Sequence, residues 1–241
     1  MANLPVMRKK PIGGSRQIGV KPTSSQKLLY IANALGLNLD GMQGSTMNIV
    51  DTVPLAFSAN RQTLEFFVNT QGKTRTFSNF QTGNLNAGEA MVMEEVKFYL
   101  LELSGASLTD PTTRILNASS FNSVGFGVVA DPRALQLGLM SITIANSQVV
   151  KDYQINETNP DFNNKNNGVA LAEALNVAVR ISLSQTHGFS GITLESPPVL
   201  PPNQKCKVTL EIPPQTGGSA NLAIMCVVGR FGSIFSANIP L

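Results

Sequence analysis

The sequence predicts an all-β protein. Three observations carry that reading. Most of the chain falls into short runs whose apolar residues recur with a period of two. Gly, Asn, Asp and Pro punctuate those runs at short intervals. Few helical patterns alternate with them, which argues against a parallel βαβ sheet and for a sandwich, barrel or jelly roll.

Taken in order, residues 1–23 contain Pro5, Pro11, Gly13, Gly14, Gly19 and Pro22, and no periodicity survives that punctuation. They read as an extended arm, ordered only where it lies on something. Ser24 or Ser25 then caps a short helix: Leu28, Leu29, Ala32 and Leu35 fall at helical spacing, and Gly36 stands where a terminating glycine belongs. Residues 37–41 form a turn, and from about residue 46 the period changes to two. Strands are expected at 47–57, 63–69, 73–80 and 90–103. In the last, Glu94-Glu95 breaks the alternation, so the run needs a β-bulge, or else is a helix. Asp110-Pro111 and Asp131-Pro132 mark turns. Further strands are expected at 124–130, 138–145 and 148–155, followed by a polar loop at 156–168 and a short helix at 169–175. The last third offers strands at 177–183, 190–196, 205–212, 219–229 and 231–236.

One internal echo bears on domain organisation. Gly83 to Glu89 leads into the strand at 90–103, and Pro198 to Gln204 leads into the strand at 205–212. Leu85 and Leu200 occupy equivalent places, 200 − 85 = 115 residues apart, close to half the chain. A repeat of that period would make two tandem copies of one β domain.

Charge is divided unevenly. The first 39 residues hold six basic side chains and no acidic one; of 18 Lys+Arg and 15 Asp+Glu in all, the other 202 residues hold 18 − 6 = 12 basic and 15 acidic. The overall +3 is therefore a basic arm joined to a mildly acidic body. Charged residues make up only 14%, against about 25% in an average domain, which points to a surface largely covered by neighbours. No run of about 18 apolar residues is present to span a bilayer as a helix. Met1 to Lys21 has charges but no apolar stretch behind them, so it does not read as a signal peptide.

Chemistry-bearing constellations are sparse, and the sequence predicts a non-enzyme without cofactor or metal. His187 is the single histidine, beside a glycine turn, and reads as a solvent-facing loop residue. Cys206 and Cys226 lie in strand-like runs where they can face each other across a sheet; the economical reading is two buried, reduced thiols. One His and two Cys do not make a zinc set. The loop from Asp161 to Gly168 has alternating oxygen ligands, but Lys165 and a late glycine spoil it for calcium. Gly13-Gly14 and Gly217-Gly218 lack the Lys-Ser/Thr that closes a phosphate loop. Glu94 and Glu95, adjacent on a strand, point to opposite faces and are no acid/base couple. The 12 Phe residues sit mainly in apolar strand contexts and read as core, and there is no Trp. What remains is Arg8-Lys9-Lys10 beside Pro and Gly, a polycation suited to phosphates of a packaged genome or of lipid headgroups.

With a basic arm, a short helix and many short strands in two halves, the chain resembles the double jelly-roll major capsid proteins of tailless icosahedral phages that enclose an internal membrane. The segment Phe77 to Leu101, FSNFQTGNLNAGEAMVMEEVKFYLL, is the most similar part. The resemblance implies two tandem jelly rolls, at 41–122 and 123–241, behind an arm and helix at 1–40. It also implies a homotrimer that looks pseudo-hexagonal and tiles a virion shell, with other virion proteins such as a penton as neighbours. Arg8, Lys9, Lys10, Arg16 and Lys21 would then face inward, toward membrane lipid headgroups or adjacent capsomers, without sequence-specific nucleic-acid binding. The competing expectation is a surface or secreted β-sandwich binding module of lectin or adhesin type, which needs exposed aromatics or a calcium site.

Overall fold

The computed structural model describes residues 24–37, 42–56, 58–120, 135, 137–155, 192–194, 197–214, 221–229 and 231–235. They form antiparallel sheets with one helix, as the sequence predicts. The helix, α1, spans Ser24–Leu35 and ends as its sequence indicates: Gly36 takes φ 66°, and the Leu37 amide donates back to the Ala32 carbonyl at 2.9 Å.

Thirteen strands follow among the described residues. They are β1 (Met42–Ser45), β2 (Asn48–Leu55), β3 (Gln62–Phe66), β4 (Glu89–Val92), β5 (Glu95–Leu103), β6 (Ile115–Ser120), β7 (Leu139–Ile144), β8 (Ser147–Gln154), β9 (Ile192–Thr193), β10 (Val199–Leu200), β11 (Cys206–Ile212), β12 (Asn221–Gly229) and β13 (Phe231–Phe235). The first sheet runs β2-β12-β5, with β6 and β9 both on the far side of β5. The second runs β3-β11-β7-β8 and the third β1-β13-β4-β10.

The pairings nest. In the series β2, β3, β5, β7, β8, β9, β11, β12, the first strand pairs with the last (β2·β12), the second with the seventh (β3·β11), the third with the sixth (β5·β9), and the middle two with each other (β7·β8). Two cross-pairs, β12·β5 and β11·β7, roll this folded ribbon into two facing sheets. The main core lies between them. It takes Ile49, Phe98, Leu100, Ile224 and Cys226 from the first sheet and Phe66, Met140, Ile142, Val208 and Leu210 from the second. Each fully buried side chain of this size contributes roughly 1.5–3 kcal/mol. The rings of Phe66 and Phe98 meet across the gap with centroids 5.7 Å apart.

The third sheet is a bent continuation of the first. Its order β1-β13-β4-β10 repeats β2-β12-β5-β9, and each pair of counterparts is adjacent in the chain. The crease falls at residues 46–47 and 93–94, beyond Gly229 at the end of β12, and at 194 and 197–198. Such corners arise where strands pass from one sheet to another. Two glycines fit it. Gly229 has φ 114°, and a Cβ there would stand 2.5 Å from Met91 Sδ and 2.8 Å from the Met47 carbonyl oxygen; one on Gly232 would meet Met47 Cβ at 2.8 Å.

The crease explains the ambiguous run at 90–103. It is a broken strand, β4 and β5, and neither the expected single bulged strand nor a helix. The Met93 amide donates to the Pro198 carbonyl and the Leu194 amide to the Glu94 carbonyl, so both polar groups at the break are satisfied. A second expectation needs correction. Residues 73–80 form turns instead of a strand, because the Phe77 and Ser78 amides both fold back onto the Thr74 carbonyl. The stretch touches β2 through one isolated bridge, Asp51 with Ser78. Asn79 extends that contact, its Oδ1 accepting from the Val50 amide at 2.7 Å. Buried Phe77, beside Leu101, Leu108 and Ala223, gives the first sheet a covered outer face. Strands β1, β6 and β10 had no counterpart in the expectations. Of 190–196, Ile192–Thr193 is the strand among the described residues.

The expected strands at 124–130 and 177–183, the helix at 169–175, the loop at 156–168 and the arm at 1–23 lie outside the described residues. So does the expected boundary at 122/123; among the described residues, β1, β2, β3 and β4 before it pair with β13, β12, β11 and β10 after it. The two echo segments are likewise neighbours. Asn84 bridges Lys205, the Asn203 amide donates to the Leu85 carbonyl at 3.2 Å, and Leu85 and Leu200 share the main core.

Candidate functional site

The basic residues that the sequence singles out, Arg8, Lys9, Lys10, Arg16 and Lys21, lie outside the described residues. The described residues begin with the helix that follows them in the chain. Ile31 and Ala32 of α1 are buried against Met42, Ala90 and Val92 of the third sheet, with Leu28, Leu35 and Val199 packed around them. This cluster is separate from the main core. Two polar ties fix the helix: Lys27 Nζ pairs with Glu94 at 2.8 Å, and the Tyr30 hydroxyl donates to the Pro197 carbonyl at 2.9 Å. Both ties land on the crease. The segment that follows the arm is thus seated on the creased end of the first sheet.

The two adjacent carboxylates part company, Glu94 at the break between β4 and β5 and Glu95 as the first residue of β5. Glu94 binds Lys27, whereas Glu95 binds Lys97 at 3.1 Å. On the wet face of the second sheet, Arg61 pairs with Glu211 at 2.7 Å and Lys207 with Glu65 at 3.3 Å. These exposed pairs are worth at most about 1 kcal/mol each.

The most unusual polar group is inside. Asp51 stands on β2 in phase with Ile49 and Leu55 of the main core and with Val53, which packs against it, and it is 0% exposed. Its Oδ2 accepts the Phe67 amide at 2.7 Å, which accompanies the positive φ of 66° at Phe67. Its Oδ1 lies 2.7 Å from Lys73 Nζ, whose side chain is 10% exposed. Lys73 Nζ also donates to the Thr52 carbonyl at 2.7 Å, and Gln81 Nε2 donates to the Lys73 carbonyl at 2.8 Å. Thr52 Oγ1 is buried without a hydrogen-bond partner. Sequence reasoning passed over this cluster, although a signal was present: a carboxylate at an apolar position of an alternating strand needs an internal partner.

Cys226 is the register partner of Asp51, and Cys206 lies in the opposite sheet. Both are buried free thiols, as the sequence suggests. Burial pushes Cys206 up to about 12. Cys226 is raised by burial first, and then by Cys206 and Asp51. Thiols held protonated in this way are poor nucleophiles and poor ligands. His187 and the loop from Asp161 to Gly168 lie outside the described residues. Among the described residues, no three His, Cys, Asp or Glu gather to hold a metal, and no helix is long and apolar enough to cross a membrane.

Compared with family models, with curated proteins and with solved structures, the chain matches none. Its function must be argued from the architecture and the charge pattern.

Proposed function

We propose that this chain is a self-assembling shell subunit of capsid type, built on one jelly roll, whose basic arm binds a polyanion. The observation that carries the reading is the nested pairing of eight strands in two facing four-stranded paths, β2-β12-β5-β9 and β3-β11-β7-β8. That winding is the jelly roll, an architecture used by viral capsid and lectin domains. On this reading the described strands from β2 to β12 build one roll, where the resemblance implied two in tandem. A pseudo-hexagonal trimer, which rests on two rolls per subunit, is therefore not part of the proposal.

Two features favour shell over lectin. The leading 39 residues carry six positive charges and no negative one, and such a segment condenses on phosphate-rich partners through counterion release. The charged share of 14% leaves much of the surface to neutral side chains that a neighbouring copy can cover. Catalysis forms no part of this reading.

The test is assembly state with and without the arm. Light scattering and electron microscopy of the full chain should show closed or large oligomers at low salt in the presence of nucleic acid or of anionic vesicles. Replacing Arg8, Lys9, Lys10, Arg16 and Lys21 by Ser should abolish polyanion binding and flatten its salt dependence. Whichever polyanion drives assembly identifies the inner partner. A monomer at high concentration with every polyanion, together with glycan binding, would overturn the proposal in favour of the lectin-like module.

A further inference from the structure

We propose that Lys73 and Asp51 become joined by an intramolecular isopeptide bond that ties the loop after β3 to strand β2. The inference is independent of the shell proposal and rests on four observations. The carboxylate is fully buried and the amine nearly so, with Nζ 2.7 Å from Oδ1. The second carboxylate oxygen receives a backbone N–H, that of Phe67, at 2.7 Å. The Thr52 carbonyl grips the same Nζ at 2.7 Å. Gln81 holds the Lys73 backbone, so the amine cannot easily retreat.

An ion pair in apolar surroundings loses the hydration that normally keeps it ionised. Passing the proton from Nζ to Oδ1 along the existing hydrogen bond yields a neutral amine beside a neutral carboxylic acid. The nitrogen lone pair then adds to Cγ. Negative charge develops on Oδ2, where the Phe67 N–H already points, as an oxyanion donor should. The departing oxygen, Oδ1, takes a second proton from the nitrogen and leaves as water. One C–N bond forms and one C–O bond breaks; no oxidant, metal or cofactor is needed. In water, amide formation from such groups is unfavourable. Here the reactants are held in contact, which in well-oriented systems is equivalent to an effective concentration on the order of 10⁵ M or more, and the product water escapes from an apolar site.

The measurement is the intact mass of the denatured, reduced full-length chain. A mass lower than the sequence mass by one water is expected. Tryptic digestion should give a branched peptide joining the segment with Asp51 to the segment with Lys73. Lys73→Arg keeps the positive charge beside Asp51 but removes the nucleophilic amine, and its mass should equal its sequence mass. A wild-type chain of full sequence mass overturns the proposal, because Asp51 and Lys73 are then a plain ion pair. A water loss that persists in Lys73→Arg also overturns it, since that loss belongs to another position.

Discussion

A single residue, Asp51, shows how much a side chain can say before the fold is known. Its neighbours Ile49, Val53 and Leu55 mark the inner face of β2, so a carboxylate in the same phase had to be buried. The sequence could not name its partner, because Lys73 is 22 residues away on a segment that itself reads as a strand. The two thiols were easier, since burial is what free cysteine ordinarily does. Their consequence is measurable. In the unfolded chain a thiol ionises near 8.5, whereas folding holds Cys206 protonated up to about 12 and moves Cys226 in the same direction. Between those values the unfolded chain binds fewer protons than the folded one, so stability falls as pH rises. This contribution is intact below the unfolded value and lost progressively above it, by roughly 1 kcal/mol per pH unit for Cys206 and in the same direction for Cys226. Denaturant midpoints should fall more steeply between pH 9 and pH 11 in the wild type than in a Cys206→Ala/Cys226→Ala variant. Equal slopes would mean that the thiols are not shielded.

Elements were legible where local chemistry decides them. α1 has its serine start, its apolar stripe and its Gly36 stop, and all three are realised. β7, β11 and β12 each follow an uninterrupted alternation or apolar run. The failures cluster where one period-two pattern serves another purpose. At 73–80 the alternating Phe77 is buried by a turn that covers the outer face of the first sheet. At 93–94 the phase break marks a crease between sheets, and its partners at Pro198 and Leu194 are about a hundred residues away. The separateness of the cluster under α1 leads to a prediction. Ile31→Ala removes its central buried side chain and should cost roughly 2–5 kcal/mol of docking stability. Hydrogen exchange should quicken through α1 and the third sheet while the amides of β5, β11 and β12 stay protected. Lys27→Ala, which breaks a partly exposed pair, should cost less than about 1 kcal/mol. Uniform loss of protection in Ile31→Ala would show that the helix is integral to the main core.

For the whole molecule the decisive fact is that strands far apart in sequence are partners. β2 pairs with β12, β3 with β11, β1 with β13 and β4 with β10. Among the described strands, those of each half have partners in the other half. Fragments 1–122 and 123–241, expressed separately, should therefore be unfolded or aggregated by circular dichroism and light scattering. Mixed during refolding, they should recover the antiparallel signal. Two fragments that each fold cooperatively would restore the tandem arrangement. So many distant pairings also carry a large loop-closure cost, and the chain should refold slowly, in the range of milliseconds to seconds typical of nested β topologies.

The sequence by itself determined the all-β character, the helix with its stop, the strands with clean alternation, the buried thiols and the separation of a basic leader from a faintly acidic body. These depend on residue types and on spacings of a few residues, which a linear string contains. Only the tertiary structure decided that the halves interleave, that one sheet folds over at a glycine-lined crease, and that Asp51 meets Lys73. Those outcomes depend on which distant strands share hydrogen bonds and bury each other's faces. Period-two patterns are interchangeable in that respect: alternation says that a strand has an inner face, and packing alone says what lies opposite.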